Sequence, residues 1–144
     1  SLGDFVIVSN SSGLATQAAS AGANIAAAGA DVQLGVAEQD ASSLAANTLI
    51  AVRILKSGNR IKMPLTTDDT AQAWSNSYRQ KRFEIRRTTT TGYYTVNVNA
   101  NTNYKVSVLE PDEDTETDTA PFVWVSPCFE GQEVSNVQWP IFAH

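Results

Sequence analysis

The sequence predicts a mainly β protein, an antiparallel β-sandwich or β-barrel of about eight short strands with one or two short helices. Apolar and polar residues alternate with period two over much of the chain, which puts successive side chains on opposite faces of a sheet. The alternating runs are short and divided by Gly, Asn and Ser turns. One segment, 68–78, carries the clearest helical signal. At 144 residues the chain fits a single domain, 1–144, that buries roughly two-thirds of its unfolded surface.

Phe5, Val6, Ile7 and Val8 form a β-branched run that reads as a buried strand before the turn at residues 9–13. Residues 14–30 are small, and Gly22 and Gly29 weaken any long helix there. A loop, a short helical turn or a weak strand near 23–27 fits better. Residues 1–30 are therefore the candidate flexible arm of the domain, ordered on assembly. Val32, Leu34 and Val36 alternate with Gln33, Gly35 and Ala37, and residues 49–55 form a second strand broken only by Arg53. Ile61, Met63 and Leu65 alternate with Arg60 and Lys62, and Ser57-Gly58-Asn59 separates this run from the one before, so a hairpin is expected.

Residues 68–78 are the best helix candidate, with Asp68 or Asp69 as cap and Trp74 and Tyr78 four apart on one face. Three alternating runs follow, around Phe83 and Ile85, around Tyr94, Val96 and Val98, and around Tyr104, Val106 and Val108. With the Asn-rich turn at 99–103 they read as an antiparallel meander. Phe122, Val123, Trp124 and Val125 read as a buried strand, and residues 134–142 as a last edge strand with Pro140 near its end. No repeat of fixed period is visible.

The formal charge of −5 is unevenly spread, because six of the fifteen acids lie in residues 110–118. The remainder, with ten bases and nine acids, is near neutral, so no basic footprint for nucleic acid is indicated. No apolar run approaches the roughly 18–20 residues of a membrane-spanning helix, so neither a membrane nor a nucleic-acid partner is expected. The single Cys128 cannot form an intrachain disulfide and reads as a small buried hydrophobe.

Chemically poised residues are sparse, which argues against an enzyme. The one histidine, His144, ends the sequence, and a triad needs an oriented imidazole. One Cys and one distant His fall short of a zinc tetrahedron. The glycines match no phosphate-loop spacing, so no cofactor is expected. Asp112, Asp114 and Glu116 alternate like the front of a calcium loop, but Thr117 stands where the turn-making Gly belongs and Val123 where the bidentate Glu belongs. A solvated loop is the simpler reading. Asn10-Ser11-Ser12 fits a glycosylation sequon of low specificity. Trp74, Trp124 and Trp139 are read as core residues ahead of a sugar platform.

The candidate partner contacts are Arg79, Arg82, Arg86 and Arg87, with Asp112 and Asp114 of the acidic tract. Arg79, Lys81, Arg82, Arg86 and Arg87 make up half of the ten basic residues. Such bases can meet the acidic loop of a neighbouring copy and fix register in a symmetric assembly.

The stretch Ala28-Gly29-Ala30-Asp31-Val32-Gln33-Leu34-Gly35-Val36-Ala37, with Asn47-Thr48-Leu49-Ile50-Ala51-Val52-Arg53-Ile54 and Gly58-Asn59-Arg60-Ile61-Lys62-Met63, resembles the head-decoration (cement) proteins of tailed bacteriophages. The resemblance covers about the first half of the chain and lies in small residues, short strands and Gly-Val-Ala turns. It implies a β-rich virion protein on the capsid exterior, commonly a trimer, that clamps neighbouring subunits of the major capsid protein. The expected function is thus a non-enzymatic capsid decoration protein. The alternative is a carbohydrate- or receptor-binding module of the tail-fibre type.

Overall fold

The computed structural model describes residues 2–26, 32–56, 58–103 and 105–128. Within them the chain is nearly all β, as its alternation requires. The strands are β1 (Phe5–Ser9), β2 (Ala15–Gln17), β3 (Ala23–Asn24), β4 (Val32–Ala37), β5 (Val52–Ile54), β6 (Ile61–Thr67), β7 (Thr70–Ala71), β8 (Arg82–Arg87), β9 (Tyr94–Asn97), β10 (Lys105–Pro111) and β11 (Phe122–Cys128). One turn of 3-10 helix, Asn76–Tyr78, is the only helical element among the described residues.

Five strands close into a barrel. β10 pairs with β11, β11 with β6, β6 with β9, β9 with β8, and β8 with β10 again. Every pairing is antiparallel except β6 with β9, which run parallel. Closure satisfies the edges that an open sheet would leave bare. Met63 and Leu65, Phe83 and Ile85, Tyr94 and Val96, Val106 and Val108, and Val123 and Val125 are all buried. Full burial of such side chains is worth roughly 1.5–3 kcal/mol each. In β10 the pairing slips between Val108 and Glu110, leaving Leu109 as an extra residue. The bulge restores the inward phase, so Pro111 is buried opposite Val123 and Glu110 stays outside.

A second sheet, in the order β2-β1-β4-β5, packs on the barrel. Phe5, Leu34 and Leu55 join the barrel residues in one hydrophobic cluster. The Phe5 ring meets the Tyr94 ring edge-on at 5.2 Å, and the Tyr94 hydroxyl donates to the Phe5 carbonyl at 3.3 Å. Burial raises the Tyr94 phenol above its ordinary pKa. Gly35 sits where β4 meets β5, and an added Cβ would lie 2.5 Å from Val52 Cγ1.

Residues 2–26 of the candidate arm supply β1, β2 and β3, and β1 lies between β2 and β4 in the second sheet. Three expectations need correction. Residues 49–55 form a strand only over Val52–Ile54, with Leu49 94% exposed, and β5 pairs with β4 rather than in a hairpin with β6. The expected helix at 68–78 is instead the β6–β7 hairpin followed by the 3-10 turn. The meander holds for β8 and β9 only. β10 lies on the other side of β8, so the Asn-rich segment crosses the end of β8. The readings of residues 134–142, Trp139 and His144 fall outside the described residues.

Candidate interaction surfaces

Strand alternation gives β11 two faces. Val123 and Val125 are fully buried, which turns Phe122 and Trp124 outward. The core reading of Trp124 is therefore wrong, and period two is the reason. Register puts Lys62 of β6 and Glu110 of β10 on either side of Trp124. Arg60 lies over the Trp124 ring at 5.0 Å from its centroid, and Lys62 Nζ lies 5.7 Å from that ring and 5.9 Å from Phe122. Arg60 also pairs with Glu110, and Lys62 Nζ approaches Asp112 Oδ2 at 3.8 Å. The result is an outward strip of two partly exposed aromatics flanked by four charged side chains. Such cation–π contacts hold roughly 0.5–1 kcal/mol each at exposed sites and stiffen the strip before any partner arrives.

The basic candidates divide into two groups. Arg86 is committed internally, its Nε donating to Asp69 Oδ1 at 3.0 Å and its Nη2 to Oδ2 at 3.1 Å. The Thr89 hydroxyl donates to the same carboxylate at 2.8 Å. Hydrogen bonding from Arg86, then from Thr89, holds the Asp69 carboxyl well below its ordinary pKa, and the pairing raises Arg86. Arg87 donates to Gln17 at 3.1 Å and to the Gly92 carbonyl at 3.3 Å, linking β8 to β2 and to the β8–β9 turn. Asp68, in the left-handed region at φ 52°, is fixed by Asn97 and Asn99 side-chain amides at 3.1 Å each. These groups hold the fold together.

Arg79 and Arg82 are exposed. Arg79 lies over Trp74 at 5.7 Å, and Trp74, Tyr78 and Phe83 stack edge to face in series. Beyond them Gln80, Lys81, Arg82, Phe83, Asn101 and Lys105 line an open cleft of about 410 Å³. Glu84, next to Phe83 in β8, is buried, with its carboxyl group accepting from the Thr102 N–H at 2.7 Å and the Asn103 amide at 3.1 Å.

The acidic candidates lie at the β10–β11 connection. Asp112 is half-buried and held beside Lys62, whereas Asp114 is exposed. Successive turns fold this loop, with the Thr115 N–H donating to the Asp112 carbonyl at 3.0 Å and the Asp118 N–H to the Thr115 carbonyl at 2.9 Å. Among the described residues no group of three or more His, Cys, Asp or Glu side chains is arranged to hold a metal ion. No described helix is long and apolar enough to cross a membrane. Sequence reasoning overlooked Arg60, Glu110, Lys105 and Asn101 as surface partners. Arg60 and Lys62 could have been paired with Trp124 from their shared alternation, but only the register of β6 against β11 brings them together. No family model, curated protein or solved structure matches the chain.

Proposed function

We propose that the chain is a non-enzymatic structural protein of the capsid-decoration type, bound to the virion exterior and bridging capsid subunits through surface fit. The observation that carries this reading is the outward Trp124 and Phe122 strip, bracketed by Arg60, Lys62, Glu110 and Asp112. Aromatic residues and Arg are the side chains that dominate the energetics of protein interfaces. Holding them rigid beforehand lowers the entropy lost on docking. The resemblance of residues 28–37, 47–54 and 58–63 to decoration proteins supports the same reading. The sparse catalytic repertoire of the sequence supports a role through contact.

The test is co-sedimentation with capsids of the virus that encodes the chain. Wild-type protein should travel with the particles, and Trp124→Ala should weaken this by at least about tenfold, as for an interface hot spot. Equal co-sedimentation of the two, or none by the wild type, would overturn the proposal. A carbohydrate- or receptor-binding role is the second reading, favoured by the outward direction of Trp124 and Phe122. Glycan-array binding that disappears in Trp124→Ala, without capsid binding, would select it.

A further inference from the structure

We propose that the basic cleft is the docking site for the acidic β10–β11 loop of a second copy of this chain, so that copies associate head to tail. This rests on the structural role proposed above and names one partner of the surface. The cleft presents Lys81, Arg82 and Lys105 around the Phe83 ring, with the amides of Gln80 and Asn101 beside them. Among the described residues no carboxylate forms an ion pair with Lys81 or Lys105. Glu84, although opposite Lys105 in the ladder, forms no ion pair with either lysine, and its carboxyl oxygens accept instead from the Thr102 N–H and the Asn103 amide. The chain as a whole is acidic, at −5, so this cleft is a local reversal of sign.

The complementary charge is in the same molecule. Glu110 and Asp112 are paired with Arg60 and Lys62, but Glu113, Asp114, Glu116 and Asp118 are exposed and form no ion pair among the described residues. Lys81 and Lys105 form no ion pair with these acids among the described residues. Lys105 opens β10, about 20 Å at the usual rise of a strand from Pro111, where the acidic loop begins, and Lys81 lies beside Val108, about 10 Å from it. β10 is a barrel strand paired on both sides, which fixes that spacing. A loop at one end and a cleft towards the other are unlike surfaces, so the contact is heterologous and repeats from copy to copy. It ends in a ring where the rotation closes. The cleft is open rather than enclosing, which suits a loop laid across it more than a small ligand.

Mixing of variants tests this. Sedimentation of the full chain should show association at low salt that weakens as salt rises. A cleft variant, Lys81→Gln with Lys105→Gln, and a loop variant, Glu113→Gln, Asp114→Asn, Glu116→Gln and Asp118→Asn, should each weaken association by at least about tenfold. All of these side chains except the half-buried Lys105 are exposed, and unchanged thermal unfolding checks that both variants fold. Mixed in equal amounts, the two variants regenerate one intact contact and should form a dimer that grows no further. A mixture that stays monomeric, variants that associate like the wild type, or a monomeric wild type that binds sulfate in the cleft would each overturn the proposal. Capsid co-sedimentation of the same variants separates the two readings. If self-association fails while Trp124-dependent capsid binding persists, only the head-to-tail contact is lost.

Discussion

Replacing Glu84 tests how the cleft is held in shape. Glu84 is 2% exposed, and its carboxyl group accepts the Thr102 N–H at 2.7 Å and the Asn103 side-chain amide at 3.1 Å, tying residues 102–103 to β8. Glu84→Ala removes both acceptors and leaves a void under the loop. A stranded buried donor costs about 1–3 kcal/mol. Because Thr102 and Asn103 are otherwise exposed and water can reach them, the lower half of that range applies to each of the two donors, giving a loss of about 2–4 kcal/mol in all. At roughly 3 °C per kcal/mol for a chain of this size, the melting temperature should fall by about 6–12 °C. Glu84→Gln keeps one carbonyl oxygen for the Thr102 N–H, and its loss should be about 1 kcal/mol. The assay is thermal unfolding combined with hydrogen exchange at the Thr102 amide, which should lose protection in Glu84→Ala and retain most of it in Glu84→Gln. If Glu84→Ala stays within about 0.5 kcal/mol of wild type with unchanged exchange at Thr102, the carboxyl group does not anchor the loop.

Two further outcomes follow from the geometry. Gly35→Ala drives a Cβ to 2.5 Å from Val52 Cγ1 and 3.0 Å from the Arg53 carbonyl oxygen, so β5 must shift, at a cost of about 1–3 kcal/mol in urea unfolding. A wild-type midpoint would show that β5 yields freely. Asp69 has a folded pKa depressed below its ordinary 3.8, so its contribution to stability is complete above that value and fades as pH falls beneath it. Asp69→Asn should therefore flatten the acid limb of the stability curve below about pH 4, and superimposable limbs would refute the role given to its pairing with Arg86.

Much of the barrel was legible because the wall strands other than β9, which is buried throughout, carry a buried apolar face and a more exposed polar one. Met63 and Leu65 with Lys62, or Val106 and Val108 with Lys105 and Ser107, announce a strand whatever their partners. Pairing was not legible, because β6 and β9 are joined by register across intervening elements rather than by a turn. The segment 68–78 misled for a local reason. Asp68 is a plausible helix cap, but Asn97 and Asn99 bind its backbone and carboxylate and hold it at positive φ, which turns the chain into β7. The surface strip was half legible. Alternation alone turns Trp124 outward once Val123 and Val125 are read as core, whereas its neighbour Glu110 depends on the bulge at Leu109. Among the basic residues, nothing in the sequence distinguishes Arg86, committed to Asp69, from Arg82 in the cleft.

The place of β11 in the ring also has a consequence for synthesis. It lies between β6 and β10, so a nascent chain holding every earlier strand still exposes two unpaired hydrogen-bonding rows. Until residue 128 leaves the ribosome, those rows are open to neighbouring nascent chains. Pauses in translation shortly before that point would lengthen the time at risk of aggregation, and the yield of soluble protein should be more sensitive to codon choice there than in the segment encoding the second sheet.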